Sequence, residues 1–419
     1  MNILWITNIT LPEANELLGI NNSFKETGGW LIGAANPKSS LSDVALSIAT
    51  VNRNVEKLTT LRGANITYYL IPFGKGYDSY NKEYETYWRE INKMTMPDIV
   101  HIHGTEYTHG LSYVNACGSQ NVVVSIQGMK SAYYNYYLSG LTFGDIISNI
   151  TLYDLLTGGL LRQKYLFYKT GEYEKKLLLK VNHIIGRTSW DKARTWAINP
   201  QATYHFCNET LRKEFYCEKK WNYKTCDKHT IFISQATYPI KGLHQLLKAL
   251  PLILKQYPNT QVRVAGKDIR FWSGLSGFLH YSCYGKYLKR TIQKLGLENN
   301  VIFTGNLNAS QMIEEYLRCN LFLCPSSIEN SPNSLGEAQI LGTPVLASYV
   351  GGIPDMMTED KGNLYRYEEI EMLAYKVCQI FSTGRNTSNM MAIAKERHCP
   401  ETNSNSLRSI YMEIVKNNN

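Results

Sequence analysis

The stretch at residues 326–352, SSIENSPNSLGEAQILGTPVLASYVGG, sets two glutamates, Glu329 and Glu337, eight positions apart. The apolar run NLFLCPSS that leads into it predicts a buried strand. Ser331 and Pro332 predict the N-cap and the first position of a helix that runs through NSLGEAQILG. Glu329 then lies in the loop and Glu337 on the second helical turn. Both positions are at the carboxyl edge of a parallel sheet, where open α/β sheets bind ligands.

The helix start between the two glutamates has the chemistry of an anion site. The amides around Asn333 and Ser334 form the positive end of a helix dipole, which favours a phosphate. A carboxylate accepts hydrogen bonds from paired sugar hydroxyls, so one glutamate suits a ribose and the other a donor sugar. The alternative is two solvated glutamates near a helix start, stabilised by about 0.3 to 1 kcal/mol through the dipole. Two carboxylates that flank an anion site suit a sugar nucleotide. The strand and Gly-Gly-x-Pro turn that follow, in GTPVLASYVGGIPD, favour this interpretation over two solvated glutamates.

The rest of the chain repeats a strand-and-helix pattern. Short apolar runs such as NILWIT, DIVHIHG and NVVVSIQG alternate with longer amphipathic stretches to about residue 205, and the pattern restarts with TIFISQA, QVRVAG and NVIFTG. This alternation is typical of parallel sheets buried on both faces. A chain of 419 residues also exceeds what one hydrophobic core organises. The sequence therefore predicts two doubly wound α/β domains, residues 1–205 and 206–400, with a cleft between them.

Composition narrows the class of protein and its partners. The chain has a net charge of +9, 30 tyrosines and nine scattered cysteines without a C-x-x-C pair. A disulfide framework or zinc site is not indicated, and a reducing cytoplasm fits best. No run approaches the roughly 18 to 20 apolar residues of a membrane span, and MNILWITNI reads as a first strand instead of a signal peptide. The charge favours an anionic partner: on composition alone, nucleic acid, an anionic membrane face or a diphosphate ligand.

Five segments, in the same order along the chain, resemble one known family: the retaining glycosyltransferases of the GT-B fold, in the glycogen-synthase-like group called family four. The E-x7-E motif stands at Glu329 and Glu337, and EAQILGTPVLASYVGGIPD is similar to the family's sequence after the second glutamate. SQATYPIKGLHQLLKAL is similar to the phosphate-binding Lys-Gly segment, QVRVAGKD to the next strand, and VIFTGNLNASQM to the base-binding turn. The resemblance is strong over residues 230–360 and weaker in the N-terminal half. It implies two Rossmann-like domains, the second binding the nucleotide sugar, and a last helix at residues 401–417 that returns to the first domain.

The resemblance also implies roles for the matching residues. Lys241 would pair with the donor diphosphate, Glu337 would hold the ribose hydroxyls, and Glu329 would contact the transferred sugar. A lysine beside the leaving diphosphate agrees with the chemistry, because negative charge develops there in the transition state; the alternative is a solvated lysine at a helix start. The other implied donor-binding positions are Gly28 and Gly29 of TGGW, Gly305 of the base-binding turn, and Asn333, Ser334 and Leu335 at the helix start.

Two positions depart from the family's pattern. Ala236 stands where many members have an arginine five residues before the lysine, and Arg187 of GRTSWDKAR is a candidate to replace that phosphate contact. Gln127 of VSIQG stands where many members have a histidine. A glutamine can hydrogen-bond a sugar hydroxyl but cannot act as a general base. We place Gln127 among the catalytic candidates in that restricted role, with Glu329 and Lys241.

The segment HIHGTEYTHG supplies His101, His103, Glu106 and His109. Alternation along a strand puts the first two histidines on one face, and no matching carboxylate cluster follows, so a metal site is disfavoured. We predict that His103, Glu106 and His109 lie on the acceptor side, with a packed core residue as the alternative for His101. The chain also lacks the D-x-D pair with which metal-dependent transferases of the other common fold hold their cation. The predicted chemistry uses no metal and no cofactor, since the nucleotide sugar is a substrate.

Residues 130–180 interrupt the strand-and-helix pattern. Aromatic and leucine clusters lie there beside RQK and EKK. Two interpretations stay open: an amphipathic segment that lies on an anionic membrane surface, or a helical insertion that packs on its own domain. The residues that would contact a membrane are Tyr133, Tyr134, Tyr136, Tyr137, Leu138 and Phe143, with Arg162, Lys164, Lys175 and Lys176.

The predicted function is a metal-independent retaining glycosyltransferase. It would move a sugar from a UDP- or GDP-linked donor to a glycan or a lipid-diphosphate-linked acceptor, in capsule, O-antigen or exopolysaccharide synthesis. The predicted location is the cytoplasm or the inner face of the cytoplasmic membrane, with no nucleic acid partner. A non-catalytic sugar-nucleotide-binding or assembly subunit is the alternative, motivated by Gln127 and Ala236. A dinucleotide oxidoreductase is disfavoured, because no convincing G-x-G-x-x-G follows MNILWIT.

Overall fold

The chain divides into two units, and the division differs from the predicted boundary at residue 205. The computed structural model describes residues 1–20, 31, 33, 35, 44–74, 79–271, 281–358, 361–383 and 387–418. Unit 1 comprises Met1–Tyr133, Leu166–Arg212 and Arg397–Asn419, and unit 2 comprises Tyr134–Tyr165 and Lys213–Glu396. Residues 134–165, which we assigned to the first domain, therefore belong to the unit formed mainly by the C-terminal half.

The described residues of each unit form one sheet. The strands are β1 (Asn2–Ile6), β2 (Ala45–Asn52), β3 (Thr59–Arg62), β4 (Ile66–Pro72), β5 (Ile99–His103), β6 (Val122–Ser125), β7 (His183–Gly186), β8 (Thr203–Phe206), β9 (Asp227–Ile233), β10 (Gln261–Ala265), β11 (Val301–Gly305), β12 (Cys319–Cys324), β13 (Val345–Ser348) and β14 (Leu364–Tyr365). Within the described ranges, the order is β3-β4-β2-β1-β5-β6-β7-β8 in unit 1 and β11-β10-β9-β12-β13-β14 in unit 2. All neighbouring strands pair in parallel except β3 and β4, which are antiparallel. Two doubly wound α/β sheets were predicted, and that prediction is confirmed.

Helices connect most of these strands, as parallel pairing requires. They are α1 (Pro12–Leu17), α2 (Tyr84–Thr95), α3 (His109–Cys117), α4 (Lys130–Tyr133), α5 (Phe143–Ser148), α6 (Leu152–Thr157), α7 (Gly159–Leu178), α8 (Ser189–Ile198), α9 (Leu243–Gln256), α10 (Cys283–Leu295), α11 (Ala309–Arg318), α12 (Asn333–Leu341), α13 (Ile353–Met356), α14 (Ile370–Ser382), α15 (Ser388–Arg397) and α16 (Pro400–Asn418).

Strand β1 is buried on both faces, which explains its continuous apolar sequence. Leu4 and Ile6 lie in one apolar cluster, and Ile3 and Trp5 lie in another. Successive side chains of a strand point to opposite faces, so both faces of this strand are covered. Helix α16 contributes Tyr411 to the second cluster. The predicted return of the last helix to the first domain is thereby confirmed.

Residues 134–165 pack on helix α10 of unit 2. Arg290 Nη1 donates to the Ser148 carbonyl at 2.8 Å, and Lys286 Nζ donates to the Ile150 carbonyl at 3.0 Å. Helices α5 and α6 each begin with a threonine–aspartate capping box. These helices therefore pack on unit 2, whereas the packed-insertion interpretation assigned them to the N-terminal domain. The membrane-contact interpretation stays a prediction. In the parts of the chain that the structure describes, no helix has the length and apolar character needed to cross a bilayer.

Candidate functional site

Lys241 and Glu329 meet at the carboxyl ends of two neighbouring strands, β9 and β12. Lys241 closes the 3-10 turn after β9, and Glu329 lies in the loop after β12. Lys241 Nζ donates to Glu329 Oε1 at 2.6 Å, and Ser326 Oγ donates to the same oxygen at 2.8 Å. Only 8% of Glu329 is exposed. Two of the predicted catalytic residues are thus in direct contact.

This ion pair keeps Lys241 charged. Burial alone would lower the pKa of the ammonium group, but the neighbouring carboxylate of Glu329 outweighs it and raises the pKa above its ordinary value. The ring of Tyr238 lies 5.8 Å from Nζ and adds a cation–π contact. The alternative of a solvated lysine is wrong, because the side chain is only 19% exposed. Lys241 supplies a fixed positive charge at this sheet edge.

Two glycines allow the backbone to pack closely around this pair. Gly242 has a φ of +72°, and a Cβ there would lie 1.7 Å from the carbonyl oxygen of Pro325. Gly351 has a φ of +52°, and a Cβ there would lie 1.8 Å from the carbonyl oxygen of Glu329. The amide of Gly352 donates to that same oxygen at 3.0 Å. The Lys-Gly and Gly-Gly motifs therefore reflect loops that leave no room for a side chain.

Glu337 lies on the second turn of α12, as predicted, and is only 5% exposed. The hydroxyl of Tyr316 lies 3.3 Å from Glu337 Oε2 and 3.0 Å from the Ser334 carbonyl. A buried carboxylate with a hydroxyl partner is oriented before any ligand arrives, which lowers the entropy lost on binding. Tyr316, from α11, was not identified from the sequence.

The prediction of the helix start is wrong by one residue. Helix α12 begins at Asn333, and its N-cap residue is Pro332, with an extended ψ of 118° and no side-chain cap. The Pro332 carbonyl accepts the amide of Leu335 at 3.0 Å, so the expected cap at Ser331 is not used. The first helical amides have no acceptor within the helix and suit an anion. Asn333 Oδ1 is buried without a hydrogen-bond partner among the described residues.

The remaining predicted donor-binding residues are spread along unit 2 and beyond. Gly305 ends β11 with a φ of +79°, and a Cβ there would meet no atom within 4 Å, so the base-binding turn is open at this point. Leu335 is fully buried. Gly28 and Gly29 lie outside the described residues. Their roles stay predictions.

In unit 1, Arg187 joins residues from the ends of three neighbouring strands, because Gln127 follows β6, Arg187 follows β7 and Glu209 follows β8. Arg187 forms an ion pair with Glu209 and donates from Nη2 to the Ile126 carbonyl at 2.5 Å and to Gln127 Oε1 at 3.2 Å. Gln127 Nε2 donates to Glu209 Oε1 at 2.5 Å. Both ends of the Gln127 amide therefore support this ion pair. The predicted contact of Arg187 with the donor stays a prediction.

His101 and His103 pack against each other, with ring centroids 3.7 Å apart. His101 Nδ1 lies 2.5 Å from the Tyr411 hydroxyl, and Nε2 lies 2.6 Å from Ser125 Oγ. Burial lowers the pKa of His101 to about 3 and that of His103 well below its ordinary value. His101 is thus the packed core histidine of our alternative. No group of three or more His, Cys, Asp or Glu side chains among the described residues is arranged to hold a metal ion.

Two carboxyl groups lie in unit 1 beside the loop after β5: the buried Glu174 and the half-buried Glu106. Glu106 Oε1 accepts the Gly128 amide at 3.0 Å. Glu174, on α7, accepts Thr105 Oγ1 at 2.5 Å and the Ser131 amide at 3.0 Å. Burial raises the pKa of both groups. The pKa of Glu174 is raised to about 7, and the negative charge of Glu106 contributes to this increase. Unit 1 therefore holds a carboxyl group that titrates near neutral pH.

His109 begins α3 and is flanked by aromatic rings. It stacks on Tyr107 at 5.5 Å between centroids and meets the edge of Tyr84 at 6.3 Å. Burial lowers its pKa to about 4, so the ring is neutral at pH 7. The predicted acceptor roles of His103, Glu106 and His109 stay predictions.

Two acidic residues of unit 1 received no functional role from the sequence. Glu209 follows β8, and its position at the end of a strand was the available signal. Glu174 lies on the apolar face of α7, where Thr170, Leu177 and Leu178 are buried. An acidic residue at helical spacing from buried neighbours was a signal for a functional or hydrogen-bonded carboxyl group.

The candidate site residues of unit 2 lie within a segment that matches a known family. The family model described as Glycosyl transferases group 1 matches residues 218–397. These residues are a group 1 glycosyltransferase domain. Lys241, Glu329 and Glu337 all fall within it, so the predicted family is confirmed for the part of the chain that carries its motifs.

Curated proteins similar to this chain include glycosyltransferases. An uncharacterized glycosyltransferase of Methanocaldococcus jannaschii is 27% identical over 158 residues, which are 37% of this chain and 36% of that protein. The gpi3 subunit of phosphatidylinositol N-acetylglucosaminyltransferase from Schizosaccharomyces pombe is 23% identical over 279 residues, which are 66% of this chain and 51% of that protein. The chain thus covers about half or less of the length of these curated relatives.

A solved structure extends the likeness to both units. HepE of Anabaena, in complex with UDP, matches with a TM-score of 0.63 at 15% identity, over 99% of this chain and 100% of that chain. A likeness at this identity shows the fold, which is GT-B. The predicted fold is confirmed.

Proposed function

We propose that the chain is a retaining glycosyltransferase that moves a sugar from a UDP- or GDP-linked donor to a glycan or a lipid-diphosphate-linked acceptor. The observation that carries this proposal is the contact of 2.6 Å between Lys241 and Glu329 in the group 1 domain. It combines a fixed positive charge with a carboxylate at the carboxyl edge of a parallel sheet, where such sheets bind ligands. Glu337 lies on the helix that follows the same loop.

The residues of unit 2 suit a sugar diphosphate. Lys241 would contact the diphosphate, where negative charge develops as the bond between the sugar and the phosphate breaks. The amides of Asn333 and Ser334 would bind a phosphate oxygen, and Glu337 would accept the ribose hydroxyls. The acceptor oxygen would attack the anomeric carbon on the face that the diphosphate leaves. The acceptor proton would then pass to the departing phosphate, with Glu329 beside the sugar.

Unit 1 would supply the acceptor side. Its cluster of Gln127, Arg187 and Glu209 combines hydrogen-bond donors and acceptors for sugar hydroxyls, and Arg187 Nε is buried without a partner within the described ranges. The name of the Schizosaccharomyces pombe relative refers to phosphatidylinositol, which supports a lipid-linked acceptor. HepE binds UDP, and a further structure of it holds UDP-glucose, which supports a UDP-linked donor. Surface-polysaccharide synthesis at the inner membrane face is the pathway and location that we propose.

A screen of nucleotide sugars by thermal shift, followed by turnover of labelled donor, tests the proposal. A donor that binds the native state raises its free energy of unfolding by RT ln(1 + [L]/Kd). We expect one UDP- or GDP-sugar to raise the Tm, and Glu337→Ala to weaken that binding by about 2 to 4 kcal/mol. Glu298→Ala is the control, because Glu298 is an exposed glutamate of the same unit. Unchanged donor binding in a folded Glu337→Ala variant would contradict the assignment.

A non-catalytic sugar-nucleotide-binding subunit is the second candidate. Two observations favour it: the amide of Gln127 is engaged at both ends within unit 1, and Ala236 is buried at 1% exposure where an arginine was expected. Such a subunit would bind the donor but would not turn it over. Donor turnover, measured with a mixture of glycan and lipid-linked acceptors, separates the two functions.

A further inference from the structure

The insertion at residues 134–165 exposes an unusual number of large apolar side chains. Leu155 and Leu156 are 71% and 72% exposed, although leucine is a residue that proteins normally bury. Leu152, Leu155 and Leu156 have i, i+3 and i+4 spacing and therefore share one face of α6. The other exposed members of this apolar surface are Phe143, Ile147, Ile150 and Leu161.

The opposite side of the insertion is the side that packs on unit 2. Ile146 is buried, and its carbonyl lies 3.5 Å from Cys283 Sγ of α10. Thr151 Oγ1 donates to the Tyr281 carbonyl at 2.6 Å. The exposed leucines are thus on helices that are already anchored, and their exposure does not result from a loose segment.

Charges around this apolar surface are basic. Helix α10 carries four basic residues, Lys286, Lys289, Arg290 and Lys294, and no acidic residue. Lys286 and Arg290 reach the backbone of the insertion itself, at Ile150 and Ser148. These two basic groups therefore border the apolar surface directly.

The acidic residues of the insertion only partly offset this charge. Residues 134–165 contain two acidic residues, Asp145 and Asp154, and two basic residues, Arg162 and Lys164. Asp145 accepts the Thr142 amide at 2.9 Å, and Asp154 accepts the Thr151 amide at 3.0 Å, so both carboxylates serve as helix caps. The insertion and α10 together carry six basic and two acidic side chains. An apolar face bordered by an excess of basic groups is complementary to an anionic lipid surface.

We propose that the apolar surface of α5, α6 and the start of α7 docks onto the anionic leaflet of a lipid bilayer, with α10 providing the basic border. The leucines would enter the boundary between headgroups and acyl chains, and the lysines would contact lipid phosphates. This surface differs from the membrane-contacting set that the sequence suggested. Tyr137 is buried, at 3% exposure, and Tyr133 packs beside the core of unit 1. Phe143 belongs both to the set predicted from the sequence and to the exposed surface described above.

Sedimentation with vesicles tests this inference. The full chain is mixed at 50 mM NaCl with vesicles of phosphatidylcholine alone or of phosphatidylcholine and phosphatidylglycerol in a 3:1 ratio, which is roughly the charge density of an anionic leaflet. We expect binding to the anionic vesicles only. We also expect a loss of binding at about 0.5 M NaCl, where the Debye length is only a few ångströms.

Two variants with matched controls identify the surface. Leu155→Ser/Leu156→Ser should lower partitioning about tenfold or more, because exposed leucines contribute burial in the membrane and little to folding. Trp196→Ser is its control, because Trp196 is an exposed residue of unit 1. Lys289→Gln/Lys294→Gln should weaken binding and its salt dependence, whereas Lys219→Gln/Lys224→Gln, on other exposed parts of unit 2, should not.

The outcomes are distinct. Wild-type protein that ignores anionic vesicles at low salt, or a leucine variant that binds like wild type, overturns the inference. Light scattering that shows a wild-type dimer, a monomeric leucine variant and no vesicle binding assigns the surface to an interface between copies and also overturns it. The inference does not rest on the proposed donor chemistry. A thermal shift with UDP measured on the leucine variant should equal that of wild type, which separates a failure of membrane docking from a failure of the donor site.

Discussion

The two units place polar side chains at the same kind of position but hold them differently. In unit 2, Lys241 and Glu329 follow two neighbouring strands and form an ion pair, and glycines let the loops close around them. In unit 1, Gln127, Arg187 and Glu209 follow three neighbouring strands and are held by side-chain hydrogen bonds. The comparison teaches that the carboxyl edge of a parallel sheet collects polar and charged side chains in both units. Backbone packing fixes them in one unit, and a network of side chains fixes them in the other.

The units also differ in their buried titratable groups. Unit 1 buries neutral histidines at positions 101, 103, 109 and 398 and a carboxyl group, Glu174, with a pKa of about 7. In unit 2, His244 is a buried neutral histidine, with a pKa lowered to about 4 by burial. Protonation should therefore act mainly on unit 1, whereas the charge of Lys241 stays fixed.

The largest expected effect comes from removing the fixed charge of unit 2. Lys241→Ala should lower kcat/KM by roughly 30- to 1000-fold, about 2 to 4 kcal/mol, because the leaving diphosphate loses its positive partner. Lys255→Ala, at an exposed lysine of α9, is the control and should leave kinetics unchanged. A folded Lys241→Ala variant with wild-type kinetics would contradict the proposal that unit 2 supplies the charge needed for catalysis.

The second prediction tests whether backbone packing holds the unit 2 loops. Gly242→Ala should lower the free energy of unfolding by about 2 to 4 kcal/mol, since it combines an unfavourable φ with a clash against the Pro325 carbonyl. Gly296→Ala has a φ of +64° and no atom within 4 Å of its Cβ position, so it should cost only about 1 kcal/mol. Urea denaturation measures both. Equal losses would show that the close approach at Gly242 contributes nothing.

The third prediction uses pH. The folded-state pKa of His109 is about 4, below its ordinary value of 6.5, so the folded state loses stability as pH falls from 6.5 toward 4. Glu174 acts in the opposite direction: its pKa is raised from 4.5 to about 7, so the stability present below pH 4.5 is lost as pH rises through 7. When the pH is lowered from 7 to 5.5, His109→Gln should lose roughly 1 to 2 kcal/mol less free energy of unfolding than the wild type. Glu174→Gln should lose more than the wild type by a similar amount.

Urea denaturation at the two pH values checks these signs. His244→Gln in unit 2 is the positive control. The pKa of His244 is lowered to a similar value, so this variant should change the pH dependence of unfolding in the same direction as His109→Gln. Hydrogen exchange at pH 5.5 should then report opening mainly in unit 1. Earlier opening of unit 2 would contradict the comparison.

The smallest expected effect is none. A chelator should leave donor turnover unchanged, because in the proposed function the charged Lys241 takes the place of the divalent cation that other transferases use. Loss of activity with EDTA that Mg²⁺ or Mn²⁺ restores would show that the lysine alone does not suffice.

Residues in motifs with fixed spacing were predictable, and a residue defined by partners from distant segments was not. Glu329, Glu337 and Lys241 were found because each stands a few residues beyond an apolar run, in a motif with fixed spacing. Glu174 was missed because its partners, Thr105 and Ser131, come from distant segments. Helix α12 starts one residue late because Pro332, with an extended ψ, serves as the N-cap residue and no side chain caps the helix.

The local sequence pattern also could not predict that residues 134–165 belong to unit 2. Capping boxes at Thr142 and Thr151 define two short helices in the sequence, but nothing local indicates which unit they contact. That choice depends on Cys283, Lys286 and Arg290, more than 130 residues away. Tertiary contacts of this range leave no periodic signal.

The shared insertion has a consequence for the order in which the protein is completed on the ribosome. The chain passes between the units four times, after residues 133, 165, 212 and 396. Helix α10, on which residues 134–165 pack, is complete only at Leu295, 130 residues after the insertion ends. At roughly 5 to 20 residues per second, the wait is about 6 to 26 seconds. Throughout it helices α5 and α6 lack the surface of α10, so a nascent chain should need a chaperone most during this interval.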